Sequence, residues 1–232
     1  MATSGTYGFS VSRDDLIGAA LRLTGAFGDG DTIPASDVSN CAQALNILAK
    51  ELATDGLPLW CVQDIAVPMV EGQLNYDLSA ASGTTLPLRI LDAYLRTATG
   101  NDVKLTSISR YDYDTLGQKS SQGTPNQYFY DPQLGAGMLY LYNVPQDPTT
   151  TVHVVLQRQI QDFNLATDTP DFPQEAFRLL KWCLADEIAL EYQAPGDVRG
   201  EIALKSKLYR EKFFGSQQEQ TSVFFTPSER RG

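Results

Sequence analysis

Histidine occurs once in the 232 residues, as His153, and cysteine three times, as Cys41, Cys61 and Cys183. One imidazole and no C-x-x-C spacing leave nothing to build a structural zinc site or a redox pair. Any Ser-His-Asp or Cys-His triad has to use His153, which lies in the alternating stretch TVHVVLQ and reads as one face of a strand. Three widely separated thiols form no disulfide framework; they read as buried, reduced small hydrophobes. No apolar run approaches the ~18 residues of a membrane span, and the opening MATSGTYGFS has neither the basic nor the apolar region of a secretory signal. Synthesis in a cytoplasm, no membrane partner, and no catalytic residue, metal or cofactor are the expectations.

Positive charge is also scarce, with 18 Lys and Arg against 28 Asp and Glu, a net charge of -10. Residues 1–177 hold 9 basic and 20 acidic residues, giving -11, and residues 178–232 hold 9 and 8, giving +1. Such a chain grips duplex DNA poorly, because affinity comes largely from Lys and Arg displacing counterions. It remains suited to lining a passage through which DNA slides.

What is present is a chain of ordinary apolar content, 42% hydrophobic, with 11 Tyr and 10 Phe, long enough to bury a core without crosslinks. Its middle, 105–145, alternates in facing: Tyr128 and Tyr130 oppose Phe129, and Met138, Tyr140 and Tyr142 oppose Leu139 and Leu141. This predicts a strand pair, with Asp131-Pro132 and Gly135-Ala136-Gly137 in a longer hairpin loop. Short alternating pieces from Trp60 onward, and TTTVHVVLQRQI after the hairpin, bring the expectation to six or seven strands between 60 and 160.

The ends read as helical. Ser12 starts a helix with Asp14 and Asp15 in its first turn, and Asp15 closes a capping-box-like arrangement. GAFGDG (25–30) follows a helix and not a strand, so its glycines stop the helix and hold no phosphate. A second helix runs from Pro34 or Ser36 to Thr54 on the stripe Val38, Cys41, Ala42, Leu45, Leu48, Ala49 and Leu52. A third spans Pro173 to about Gln193, and a fourth about Asp197 to Phe214 on Val198, Ile202, Leu208 and Tyr209. The predicted class is α+β: a four-helix antiparallel bundle (12–58 and 168–214), an inserted antiparallel β-domain of sandwich or barrel type (59–167), a flexible arm (1–11) and an extended tail (215–232). Inside the polar tail, Val223-Phe224-Phe225 forms an apolar anchor.

Two features offer chemistry. Asp112 and Asp114, spaced i, i+2 as are Asp29 and Asp31, have the types needed for a divalent ion or for a carboxylate glycan hydrolase, and equally those of turns and caps. SRYDYDTLGQK reads well as a short helix or turn between strands. The basic residues of the fourth helix suit an acidic partner, but Glu201 and Glu211 interleave with them as on a solvated face.

Several stretches, in their order, resemble the head-to-tail adaptor (connector) proteins of short-tailed bacteriophages, the family of tail tubular protein A and related tail accessory factors. They are ALNILAKELATDGLPLW (44–60), the turn and strand at Gly72, Gln73 and Tyr76, ISRYDYDTL (108–116), GTPNQYFYDP (123–132) with LYLYNVP (139–145), and FPQEAFRLLKWCLADEIALEY (172–192). The resemblance covers most of 12–214. It implies a virion structural protein and no enzyme: a self-associating ring, typically of twelve subunits, in the neck between portal protein and tail nozzle protein. Double-stranded DNA passes through such a ring without sequence-specific binding. It further implies a helical part that meets the portal and a C-terminal segment that reaches into it, which places Val223, Phe224 and Phe225 as portal-binding anchors and Arg230 and Arg231 as polar contacts. A different phage neck or tail protein with the same layout is the alternative beside the hydrolase.

Overall fold

A computed structural model describes residues 4–55, 58–81 and 86–216. The fold is α+β, with a helical part and a part made mainly of antiparallel strands, each around its own core.

Helix α1 (Arg13–Thr24) begins at Ser12, whose Oγ accepts the Asp15 N–H at 3.2 Å and donates to the Asp15 carboxylate at 2.6 Å. Asp15 therefore closes onto the hydroxyl and not onto the Ser12 N–H of a full capping box. Gly25 ends the helix in the left-handed region, φ 77°, where a side chain is strained. Helix α2 (Ala35–Thr54) buries Cys41, Ala42, Leu45, Leu48, Ala49 and Leu52 as its stripe requires. Strand β1 (Val62–Pro68) follows a short 3-10 turn at Leu59–Cys61, and β2 (Asn75–Asp77) leads into the one-turn helix α3 (Leu78–Ala81). Next come β3 (Pro87–Arg96), β4 (Asp102–Lys104), β5 (Thr106–Ser107), helix α4 (Arg110–Thr115) and β6 (Gln122–Gly123). Strands β7 (Gln127–Gln133), β8 (Ala136–Tyr142), β9 (Val144–Pro145) and β10 (Thr151–Arg158) complete the β-part. Helices α5 (Phe177–Ile188) and α6 (Gly196–Ser216) return the chain to the helical core.

The sheets run β1-β10-β3-β4, antiparallel throughout, and β2-β8-β7-β5, and they close on each other over Leu95, Val152, Val154, Leu156, Leu139, Leu141, Tyr76 and Tyr128. The expected antiparallel domain needs one amendment: β5 pairs with β7, and β6 with β9, in parallel. The chain crosses from one sheet to the other between β4 and β5, so it re-enters the second sheet in the direction of its new neighbour. The hairpin differs too. Pairing continues to Gln133 opposite Ala136, so the loop is only Leu134-Gly135, with Gly135 at φ 88°. Pro132 is tolerated in the strand because β5 covers β7 only at Gln127 and Tyr128, leaving that end of β7 as an edge.

Helix α5 packs against α1, α2 and α6 and is the hub of the helical core. It starts after a 3-10 turn at Gln174–Ala176 and stops at Ile188, short of the expected Gln193; Gln193 takes φ 52° and the Ala194 N–H returns to the Ala189 carbonyl at 3.0 Å. Helix α6 has no single apolar stripe. Ile202 and Phe213 are buried, but Leu204 and the expected stripe residue Leu208 face outward.

The two cores meet in a polar seam. Gln157, at 1% exposure, donates from Nε2 to the Ala53 carbonyl of α2 at 2.9 Å and accepts the Arg89 Nε–H at 2.7 Å. Asn46 of α2 both accepts the Phe163 N–H (2.8 Å) and donates to the Phe163 carbonyl (3.1 Å), while Arg158 pairs with Asp171. Ile160 and Phe163 continue past β10 straight into the helical core.

Candidate functional site

One end of the helical part gathers three pieces of chain: the N-terminal arm, the approach to α5 and the last turn of α6. The arm is held at few points. Gln174 Nε2 donates to the Tyr7 carbonyl at 2.7 Å, and the Phe9 ring lies 6.1 Å from that of Phe177. Tyr7 is nonetheless 93% and Phe9 67% exposed. Two large aromatic groups left in water on an extended segment are unusual on a finished surface and mark a place where another chain can cover them. The arm is fixed at its base, where Arg13 N–H bonds to the Asp168 carbonyl at 2.8 Å and Arg13 itself reaches the Asn164 carbonyl at 3.0 Å.

Beside the arm, and sharing Glu175 with it, a groove runs between α5 and α6. Its wall carries Arg178, whose guanidinium stands 5.4 Å over the Tyr209 ring, and Lys212. Its floor includes Phe213, packed edge-on against Trp60 at 5.6 Å. Ser216 lies at the end of this groove and donates to the Phe213 carbonyl at 2.7 Å, closing the last turn of α6. The expected anchors Val223, Phe224, Phe225, Arg230 and Arg231 lie outside the described residues, but their point of departure is this groove.

The candidate acids take other roles. Ser109 and Asp112 form a full capping box at the start of α4: the Asp112 N–H donates to Ser109 Oγ at 3.1 Å, and the Asp112 carboxylate accepts the Ser109 N–H at 3.3 Å. Asp114 lies 3.9 Å from Lys119, and at i, i+2 on a helix the two carboxylates do not share a face. Asp31 accepts the Gly28 N–H at 2.6 Å and so shapes the turn after α1. Among the described residues no group of three or more His, Cys, Asp or Glu side chains is placed to hold a metal ion.

His153 sits on the outward face of β10, stacked on Tyr94 at 4.9 Å with Nδ1 3.1 Å from Asp64; the Tyr94 hydroxyl donates to the same carboxylate at 2.7 Å. That is a satisfied cross-strand trio. The three thiols are buried, and burial pushes each above its ordinary pKa, that of Cys61 up to about 11.

One cluster was not legible beforehand. Tyr113 of α4 stacks on Phe129 at 5.4 Å and lies 5.3 Å from Tyr140, with Arg110 over Phe129 and Lys119 over Tyr113. The strand pattern sets Phe129 apart from Tyr128 and Tyr130, and Tyr140 apart from Leu139 and Leu141, and pairing puts Phe129 and Tyr140 opposite each other on one face, but nothing local indicates that α4 folds back to cover them.

An α+β subunit whose acidic side chains shape caps, turns and strand pairs, and which exposes aromatic groups on its terminal arm and at Tyr111, has the build of a structural component made to meet other chains. Residues 11–231 match the family described as SU10 adaptor protein, and the chain belongs to that family. It is therefore a phage head-to-tail adaptor, a structural component of the virion neck in a family that is usually non-enzymatic, and membership implies contact with portal and tail proteins. No curated protein matches the sequence. No helix among the described residues is long and apolar enough to cross a membrane.

Proposed function

We propose that twelve copies of this chain form a ring between the portal and the tail nozzle and line the channel through which the genome leaves. In this reading the four long helices act as one antiparallel bundle, from 12–58 and 168–214, and stand against the portal. The β-domain, 59–167, is turned to the tail nozzle. The segment 215–232 reaches into the portal through Val223, Phe224 and Phe225, with Arg230 and Arg231 as polar contacts. Subunits are made in the host cytoplasm and incorporated at the vertex.

The observation that carries the proposal is the convergence of the arm, from Ser4 to Phe9, and the last turn of α6 on one end of the helical part, next to Glu175. A single docking event there can engage the exposed arm, the α5–α6 groove and the tail together. The charge supports the channel role: a net -10, concentrated before residue 178, repels phosphate and lets duplex slide without stalling. Multiplication over the ring turns a weak tail contact into a firm one through avidity.

Deleting residues 217–232 tests the reading. The truncated chain is expected to keep its circular dichroism spectrum and melting temperature while losing attachment to portal-containing heads. Attachment at wild-type levels would remove the tail from the mechanism.

A further inference from the structure

We infer that neighbouring copies join by their sheet edges, β4 of one copy lying antiparallel beside β1 of the next, with Lys104 facing Asp64 and Val103 facing Ile65. The inference rests on the ring reading above and names the contact that closes it.

The first support is direction. The sheet has an even number of strands, all antiparallel, in the order β1-β10-β3-β4, so its two edge strands run in opposite senses. A second copy placed edge to edge in the same orientation therefore brings its β1 antiparallel to β4 and continues the alternation without a break. Such a contact joins two different surfaces, and it closes into a ring when the rotation between copies divides a full turn.

The second support is that neither edge is paired among the described residues. Among the described residues neither Val62–Pro68 nor Asp102–Lys104 has a backbone hydrogen bond on its outer side; β1 bonds only to β10, and β4 only to β3. Helix α3 packs near β1 but takes none of its backbone groups, and a seven-residue strand whose outer N–H and C=O groups are unpaired is a template for strand addition.

The third support is the register. Tyr94 pairs with Lys104 and Ala66 with His153, so Lys104, Tyr94, His153 and Ala66 share one face, and Asp64, two residues from Ala66, shares it too. Leu95 pairs with Val103 and Val154 with Ile65 on the opposite, core-side face. Setting Lys104 against Asp64 thus automatically sets Val103 against Ile65. Opposite charges meet on the outer face, and Val103, 49% exposed in the single chain, gains an apolar neighbour on the inner one. Neither charge is used up. The Lys104 side chain is 76% exposed and gives one of its three N–H groups to Asp92, and the Asp64 carboxylate, with its contacts to Tyr94 and His153, keeps further acceptor positions. A three-residue ladder is too short to hold free subunits together, so the contact belongs to the assembled neck.

Zero-length carbodiimide coupling of intact virions tests this on the natural chain. Within one chain β10 and β3 separate β4 from β1, about 14 Å across three strand spacings, so a bond between the Lys104 amine and the Asp64 carboxylate can form only between copies. The expected result is that peptide joined to peptide, and its loss in Lys104→Gln virions. A second measurement uses Asp64→Cys with Lys104→Cys. Oxidised necks should give a ladder of disulfide-linked subunits, the single variants should give none, and the buried native thiols do not interfere. Necks that contain several copies of the chain but yield neither product overturn the edge contact and leave the ring standing. A neck with a single copy overturns the ring as well.

Discussion

At the scale of single residues, one glycine ties the two sheets together. A Cβ on Gly137 would lie 2.7 Å from the Tyr130 hydroxyl and 3.1 Å from Pro87 Cδ. The Tyr130 hydroxyl donates to the Pro87 carbonyl at 2.7 Å, a bond from β7 of one sheet to β3 of the other, and burial pushes that phenol up to about 12. Gly137→Ala is therefore expected to displace Tyr130 and lower unfolding free energy by ~1–3 kcal/mol in denaturant titration, the range for overpacking a tight contact. The thiols give a second check. With Cys41, Cys61 and Cys183 buried and their pKa values raised, a thiol reagent at pH 8 should label none of them until denaturant is added. Labelling of the native chain at any of the three would contradict the packing described for that side chain.

At the scale of elements, the loop before α5 is folded on itself by a carboxylate, while its Asp168 and Ala166 carbonyls accept the Arg13 and Asp14 N–H groups of α1. Asp168 accepts the N–H groups of Leu165 at 2.6 Å and Asn164 at 2.8 Å, and these bonds hold its pKa below the usual range. A carboxyl whose folded pKa is depressed stabilises the fold above its unfolded pKa, ~3.9, and the contribution vanishes as pH falls through the folded value. Asp168→Asn should then melt lower than wild type at pH 7, with the gap closing as the pH falls below the ordinary carboxylate range and the depressed group is protonated. Elements of this kind were readable in advance where the determining contact is local. Ser12 with Asp15 and the glycine after α1 act within four residues and lie where the sequence indicates; Ser109 with Asp112 is equally local and caps the short helix expected in that stretch. The hairpin loop is shorter than the sequence predicts because Pro132, a turn residue by its local chemistry, is accommodated in the strand where β5 stops short of it. The parallel pairs and the cover of α4 over Phe129 likewise follow from where distant strands settle.

At the scale of the whole molecule, the apolar stripes are enough to separate helical from β segments, and the helical core gathers Ile17, Leu45 and Leu184 from three of the helices. The polar seam was not readable. Asn46 and Phe163 are 117 positions apart, Gln157 and Ala53 are 104, and each polar residue sits in a stretch whose pattern only says strand or helix. The sites implied by resemblance, Val223 to Arg231, depend on the partner and lie beyond the described residues. Their test is the tail deletion, just as the sheet-edge contact is tested by coupling within virions.

The seam between the cores has a mechanical meaning. Because β10 runs on into the helical core and Asn46, Gln157 and Asp171 fasten it there, the two cores are linked by continuous chain and by side-chain bonds on both flanks of the junction. In the ring proposed above, a load on one core is expected to reach the other through these bonds before it strains either core from within.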